Sequence, residues 1–382
     1  AHPPIYMPEN CNLEDVEHIR KFVDIPVVCA GRLDPFVAAE AVAQNKIDGA
    51  GFARQFLADQ AWVTKLMDDR PEDIRPCILC HNGCFNMCHY KGVPNDQELS
   101  DSLYLSRCAV NAETMQWNKH YIKPTDSPKT VHIIGGGIGG MEAARVLKLR
   151  GHKPVIHEKS DVLGGTFIPA SAESYKGKLR DLLEWYRRQM KVMDVEVHLN
   201  DEVASVDTFA GNPVIVATGS KPVVLSGVPG NERMIEACDY LNGEPVGDTV
   251  AVIGGGLTGC EIAYELALQG KKPLIVEMKN DLIAQTGVCL ANSSYLREWF
   301  ALHKVPVYLE TTLTEVREDS IVCRAKDGST FEVPSDSAIS SVGYIPNPLC
   351  EKQRNVHLVG DCNEVGNLRT VIWGAYEAAM AI

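Results

Sequence analysis

The sequence lacks an excess of positive charge and has no long apolar run. Its 37 Lys and Arg residues are outnumbered by 50 Asp and Glu residues, which gives a formal net charge of −13. An acidic chain without a block of basic residues offers phosphate backbones little to bind, so no nucleic-acid partner is expected. No apolar run approaches the roughly 18 residues that a membrane span needs, so no membrane partner is expected either.

A secretion signal is also lacking, because the N-terminal stretch AHPPIYMPEN has neither a basic region nor an apolar core. The cysteine count is thirteen, an odd number, and most of these cysteines are scattered singly. A disulfide framework is therefore not expected, and the reducing cytoplasm is the expected compartment. The missing initiator Met is compatible with a fragment, although removal of Met before Ala gives the same sequence.

Alternating helix and strand patterns predict an α/β fold. Residues 1–75 contain two predicted units of strand followed by helix, with Asn12 and Asp34 as helix caps. Two such units cannot close a barrel or bury a sheet on both faces, so either a partner or more chain should cover them. Residues 76–128 carry a group of cysteines and end in a polar linker punctuated by prolines.

Two glycine-rich fingerprints with GxGxxG spacing each lie between a predicted strand and a predicted helix. The sets, each with the acid that ends the next strand, are Gly135, Gly137, Gly140 and Glu158, and Gly254, Gly256, Gly259 and Glu277. Such glycines permit a tight turn, close approach of a pyrophosphate and packing of helix on strand, while the acid binds ribose hydroxyls. Two dinucleotides are therefore expected. The acid of the second set would repel a 2′-phosphate, so NADH is favoured over NADPH, although Lys272 and Lys279 nearby could pair with a phosphate.

Further motifs surround the first fingerprint in a set order. They are the LGG that ends at Gly165, the ATG of Ala217, Thr218 and Gly219, and the late Gly360 and Asp361. This order resembles the FAD domain of glutathione-reductase-like flavoproteins, in which the closing Gly-Asp meets the flavin side of FAD. The second fingerprint lies where that family inserts its nicotinamide domain. The resemblance thus implies an FAD-binding domain at 129–228 and 344–382, with an NAD(P)H-binding domain at 229–343.

Five cysteines between positions 77 and 108 predict a metal centre. Cys77, Cys80, Cys84 and Cys88 lie in PCILCHNGCFNMC, and Cys108 follows in RCAVN. Four thiolates would satisfy zinc, but a chain with two dinucleotide sites moves electrons and zinc carries none. A 4Fe–4S cluster held by three close thiolates and one remote thiolate is therefore favoured. Either Cys88 or Cys108 is then spare.

The full order of motifs resembles the 2,4-dienoyl-CoA reductase and enoate reductase branch of the old yellow enzyme family, over essentially the whole chain. Trimethylamine dehydrogenase is a cousin of that branch. In the reductase branch the fourth cluster ligand lies in a CxVNP-like segment, which CAVNA matches. The resemblance therefore implies Cys77, Cys80, Cys84 and Cys108 as ligands. The gap after Cys84 is longer than is usual in the branch.

The same resemblance implies that residues 1–75 are the last two units of a (β/α)8 barrel that binds FMN. Phosphate in such barrels is held by the loops after strands seven and eight. The matching positions are Gly31 and Arg32 in the first loop and Ala53 and Arg54 in the second. His2 and Tyr6 lie where the barrel comes near the flavin, and a structural or solvent role is favoured for both.

The implied function is an electron relay, similar to that of reductases from anaerobic bacteria. NADH reduces FAD, the cluster passes electrons to FMN, and FMN reduces an activated C=C bond of a small unsaturated substrate such as an enoate, an enoyl-CoA or a phenolic enone. An amine dehydrogenase and an electron-transfer subunit (or NADH:acceptor reductase) are the alternatives. The catalytic acid would lie on barrel strands absent from this sequence, so no catalytic residue is predicted. The rest of the barrel is expected in the same chain or in a partner chain, and a homo-oligomer is expected.

Overall fold

The structure is a computed structural model that describes residues 3–88, 106–116, 120–285 and 287–382, without the side chains of residues 87 and 88. Among the described residues, no helix is both long enough and apolar enough to cross a membrane. Strands and helices alternate along most of the chain, as an α/β fold requires.

The N-terminal part forms two strand–helix units whose strands pair in parallel. The elements are β1 (Val28–Ala30), β2 (Gly49–Gly51), α1 (Leu13–Arg20), α2 (Pro35–Ala43), α3 (Arg54–Ala58) and α4 (Trp62–Met67), followed by the 3-10 turn Pro71–Asp73. Large apolar side chains of this part remain open to solvent: Phe22 is 74% exposed, Val28 60% and Phe36 62%. These side chains are therefore not covered by the described residues.

The two predicted helix caps in this part have different outcomes. The Asp34 carboxylate accepts hydrogen bonds from the backbone N–H groups of Phe36 and Val37 at 2.9 and 3.1 Å, so this cap is confirmed. Asn12 lies at the predicted N-cap position of α1, but its side chain makes no capping hydrogen bond. Its amide nitrogen instead donates to the carbonyl of Ala30 at 2.9 Å, which ties the start of α1 to the end of β1.

A five-stranded, fully parallel sheet forms the first nucleotide-type unit, with strand order β17-β6-β3-β4-β5. The strands are β3 (Thr130–Ile134), β4 (Lys153–Glu158), β5 (Glu196–Leu199), β6 (Val214–Val216) and β17 (Val356–Leu358). The helices are α6 (Ile138–Leu149), α7 (Phe167–Ala170), α8 (Gly177–Val192) and α12 (Leu368–Met380). The central strands of the sheet are largely apolar because both faces are covered: α6, α8 and α12 pack on one face, and a segment that includes Val206 and Phe209 packs on the other. A short helix, α5 (Phe85–Cys88), precedes this unit in the cysteine segment.

A second five-stranded parallel sheet, in the order β11-β10-β9-β15-β8, repeats this layout. Its strands are β8 (Ile235–Glu236), β9 (Thr249–Ile253), β10 (Lys272–Val276), β11 (Val307–Tyr308) and β15 (Ser337–Ser340), with helices α9 (Ala237–Leu241), α10 (Leu257–Leu268) and α11 (Leu290–Leu302). A three-stranded antiparallel sheet of β12 (Thr312–Val316), β13 (Ser320–Arg324) and β14 (Thr330–Pro334) packs on it through a shared apolar core.

The chain leaves the first unit through β7 (Ser220–Pro222) and returns through β16 (Tyr344–Pro346), and these two strands pair antiparallel. The second unit is thus an insertion into the first. The predicted α/β class with an inserted second unit is confirmed. The two N-terminal strand–helix units do not by themselves establish a barrel.

A buried ion cluster, which we call the latch, joins the two units. Lys176, just before α8, lies 2.8 Å from the carboxylate of Glu261 on α10 and 3.1 Å from that of Glu173. The hydroxyl of Tyr6 donates to Glu261 at 3.0 Å. The side chain of Glu173 is fully buried, and those of Lys176 and Glu261 are nearly so. Tyr6 therefore has a structural role, as was favoured from the sequence, while His2 lies outside the described residues.

Candidate functional site

The first glycine loop connects β3 to α6. Gly135 has φ +109°, and a Cβ there would overlap the backbone of Ala217. Gly140 is equally restricted, because a Cβ there would overlap the carbonyl of Gly135. Gly137 is the N-cap of α6 and supplies no side-chain cap, so no capping side chain competes with an anion for the first N–H groups of this helix.

The other predicted residues of this unit gather around the same loop. Gly165 follows Gly164, which pairs with Gly137 in an isolated bridge. The Glu158 carboxylate accepts from the N–H of Gly136 at 2.6 Å, which fixes the acid beside the loop. The remaining five are Ala217, Thr218, Gly219, Gly360 and Asp361, near the switch to β7. There the hydroxyl of Ser220 lies 3.4 Å from Asp361, and that of Thr218 donates to the carbonyl of Asn347 at 2.7 Å.

The second glycine loop, between β9 and α10, has the same construction. A Cβ at Gly254 would overlap the backbone of Ser341, and one at Gly259 would overlap Gly254. Gly256 is an N-cap without a side-chain cap. Glu277 accepts from the N–H of Gly255 at 2.6 Å, as Glu158 does from Gly136 in the first loop. Both loops have the open helix N-terminus and the adjacent acid that a dinucleotide needs.

The four predicted ligand cysteines line one small cavity, together with Arg54 and His81. All four are partly buried and free of disulfides. Burial raises the pKa of the Cys80 thiol to about 12 and that of Cys84 to about 11, and burial also raises the pKa of Cys77 and Cys108. Deprotonation of all four thiols in this cavity therefore needs a compensating positive charge.

The structure brings the remote Cys108 to the other three through Gly83. A Cβ at Gly83 would lie 2.6 Å from the backbone nitrogen of Ala109 and 2.8 Å from the carbonyl carbon of Cys108. The N–H of Arg107 donates to the carbonyl of Gly83 at 2.7 Å. Only glycine permits this approach of the two segments. The side chain of Cys88, the rival ligand, lies outside the described residues.

Within the described part of the chain, no three or more His, Cys, Asp or Glu side chains form a group that could hold a metal ion. Four cysteine thiols are a donor set that suits either zinc or a 4Fe–4S cluster.

A cleft of about 840 Å³ adjoins the cysteines. The predicted phosphate-loop residues and two of the cysteines line it: Gly31, Arg32, Ala53, Arg54, Cys77 and Cys84. Arg32 is only 9% exposed; its Nη1 donates to the carbonyl of Pro4, and its buried Nε has no hydrogen-bond partner among the described residues. Arg54 lies with its Nη1 2.9 Å from Nε2 of His81, so His81 positions this side chain.

The fold and the two loops define a flavin- and pyridine-nucleotide-dependent oxidoreductase. Residues 129–361 match the family described as pyridine nucleotide-disulphide oxidoreductase, and the chain belongs to this family. It is 34% identical over 392 residues to a cinnamate reductase from Clostridium sporogenes, covering 100% of this chain and 57% of that relative. It is 33% identical over 359 residues to a bilirubin reductase from Mediterraneibacter gnavus, covering 91% of this chain and 54% of that relative.

Among solved structures, a 2-naphthoyl-CoA reductase in complex with 2-naphthoyl-CoA superposes with a TM-score of 0.85 at 25% identity, covering 100% of this chain and 58% of that one. The predicted resemblance to the enoate reductase branch is thereby confirmed. The chain spans a little over half the length of the relatives that it matches.

Several residues of the site were not found from the sequence. Gly83, His81 and Trp373, whose indole N–H donates to the carbonyl of Cys108 at 3.0 Å, were not singled out. The glycine inside the cysteine motif was a signal that could have been used, because a glycine between metal ligands commonly marks a close backbone approach. The partnership of Trp373 with Cys108 spans 265 positions and has no local signal.

Proposed function

We propose that this chain is the electron-supplying part of an NADH-dependent reductase that acts on an activated C=C bond. The observation that carries the proposal is the single cleft that joins both predicted phosphate loops to two of the cluster cysteines. An electron acceptor held there would lie directly beside the metal centre. The names of the cinnamate and naphthoyl-CoA reductases indicate conjugated, unsaturated acids or thioesters as the substrate class.

Bound FAD, a 4Fe–4S cluster and FMN would supply the hydride and single-electron chemistry, which side chains cannot perform. The chain's own residues hold and orient these groups. The α6 N-terminus and Glu158 would hold the pyrophosphate and ribose of FAD, and Asp361 would lie at its flavin end. The α10 N-terminus and Glu277 would do the same for NADH, with the carboxylate excluding a 2′-phosphate.

Cys77, Cys80, Cys84 and Cys108 would hold the cluster. They fit because they line one cavity, carry no disulfides and lie in a place where thiolates need a positive partner. Arg32 fits the FMN phosphate because its buried Nε has no partner, and burial lowers the pKa of this guanidinium. A phosphate there would offset the cost of burying the cation. Arg54, held by His81, would supply the second charge.

The exposed apolar residues of the two N-terminal units support a further part of the proposal. Phe22, Val28 and Phe36 are more than half exposed, and exposed large apolar side chains can mark surfaces that another element covers. We propose that further strand–helix units, in the same or a partner chain, cover these side chains and carry the catalytic acid.

The test is flavin release and iron quantitation on anaerobically purified protein, with Arg32→Gln and a matched control, Arg70→Gln. Arg70 forms only exposed ion pairs with Asp68 and Asp73. A hydrogen bond to a charged group contributes about 1.5–3 kcal/mol, so R32Q should weaken FMN binding roughly 10- to 100-fold. FAD and iron should be retained, and R70Q should match the wild type.

FAD and about four irons per chain without FMN in the wild type would instead favour the electron-transfer subunit. Equal FMN retention in R32Q and R70Q would show that Arg32 does not bind the FMN phosphate. An absence of iron would contradict the cluster.

A further inference from the structure

Trp373 connects the flavin unit to the remote cysteine of the cluster. Its indole N–H donates to the carbonyl oxygen of Cys108 at 3.0 Å. That carbonyl also accepts from the N–H of Asn111 at 3.3 Å. Cys108 is thus held on one side by the Gly83 approach and on the other by a side chain of α12.

The same indole lies beside two buried cations. The guanidinium of Arg107, the neighbour of Cys108, lies 4.0 Å from the centre of the Trp373 ring, and that of Arg369 lies 5.5 Å from it. These arginines are only 2% and 3% exposed. Cations over an indole face are attracted to it, and more strongly when they are removed from water. Trp373 therefore fixes two positive charges close to the backbone of a predicted cluster ligand.

The helix that carries Trp373 also contacts the start of α6, after the first glycine loop. α12 follows Gly360 and Asp361 and begins with a capping box between Asn367 and Thr370. A Cβ at Gly139 or Gly360 would lie 3.2 or 3.3 Å from Val371, so α12 packs on the first turn of α6, directly after the loop predicted to hold FAD. One rigid helix thus lies against both the start of α6 and Cys108.

We propose that Trp373 is a positioning residue that holds Cys108 and raises the reduction potential of the cluster. A cluster gains negative charge when it is reduced, so fixed cations and hydrogen-bond donors nearby favour its reduced form. The indole supplies the donor and retains Arg107 and Arg369 as the cations. This inference rests on the proposed function, because it requires the cluster to be present.

The experiment is a redox titration of the cluster, followed by electron paramagnetic resonance, on anaerobically purified wild type and variants. Trp373→Phe keeps an aromatic ring beside the arginines and removes the N–H donor with the five-membered ring, whereas Trp373→Leu removes the aromatic ring altogether. Trp299→Phe is the control, because Trp299 packs on Tyr264 and His303 of the other unit. Iron and FAD are quantified in every sample.

W373F should retain iron and FAD but show at least a threefold fall in the ratio of reduced to oxidised cluster at a fixed solution potential, about 28 mV for one electron. W373L should shift further in the same direction, and W299F should not shift. If W373L loses FAD through misfolding, the cluster potential of W373F alone tests the inference. An unchanged potential in a fully loaded W373F overturns this inference alone. Wild-type protein without iron overturns the proposed cluster and this inference with it.

Discussion

Removal of the latch cation should destabilise the protein far more than removal of a neighbouring surface cation. Lys176→Met leaves the carboxylates of Glu173 and Glu261 buried without the ammonium group that lies 2.8–3.1 Å from them. Loss of one partner from a buried ion pair costs about 3–5 kcal/mol. For a unit of this size, each kcal/mol lowers Tm by about 2–4 °C, so a fall of about 10 °C is expected.

The matched control is Lys178→Met, two residues further along. Lys178 pairs with Glu9 and Asp181 at 3.5 and 3.2 Å, but its side chain is 30% exposed. Exposed ion pairs contribute about 0–1 kcal/mol, so K178M should lower Tm by only a few degrees. Differential scanning calorimetry of both variants measures the difference.

The latch also predicts how the K176M penalty depends on pH. Burial raises the pKa of Glu173 in the folded state, and loss of the lysine would raise it further. A carboxyl whose folded pKa exceeds its unfolded value of about 4.3 costs no stability below that value, and the cost grows as pH rises towards the folded pKa. The Tm difference between K176M and wild type should therefore be larger at pH 8 than at pH 5. Equal Tm values for K176M and K178M at pH 8 would refute the reasoning.

Two further substitutions test the cofactor sites. Gly83→Ala should lower iron content at least severalfold, because its Cβ would lie 2.8 Å from the carbonyl carbon of Cys108; Gly227→Ala, where a Cβ meets nothing within 4 Å, should keep full iron, and equal iron contents would contradict the close approach. Glu277→Gln should weaken NADH binding by about 1.5–3 kcal/mol, roughly 10- to 100-fold, and weaken NADPH binding less, since the repelling charge is lost. Isothermal titration with both nucleotides measures these affinities. An unchanged ratio of NADH affinity to NADPH affinity would show that Glu277 does not bind the ribose.

Local patterns in the sequence were sufficient to predict the two nucleotide-type units. The spacing from Gly135 to Glu158 is set by the local geometry of one strand–turn–helix–strand unit. The repeat of this spacing at Gly254 supported the prediction. Asp34 was found as a cap for the same reason, since its hydrogen bonds join residues two and three positions apart. The orientation of the Asn12 side chain could not be predicted in this way, because its amide nitrogen donates to the carbonyl of Ala30, 18 positions away.

The long-range contacts that assemble the site could not be predicted from local patterns in the sequence. The latch joins Tyr6, Lys176 and Glu261, which are brought together only when the second unit packs against the first. Arg54 was predicted as a phosphate ligand, but its position against His81 depends on the path of the cysteine segment. Long-range packing of this kind leaves no periodicity in the sequence.

Electron transfer from the nucleotide units to a cluster at the cysteines can be tested by an anaerobic titration of the purified protein with NADH, followed by visible absorbance and electron paramagnetic resonance. We expect the flavin absorbance to fall and a signal of a reduced iron–sulfur cluster to develop with it. In protein that also contains the proposed further strand–helix units, we expect both changes to reverse on addition of a cinnamate-type acceptor. Flavin reduction in iron-loaded protein without any cluster signal would contradict an electron path from the nucleotide units to the cysteines.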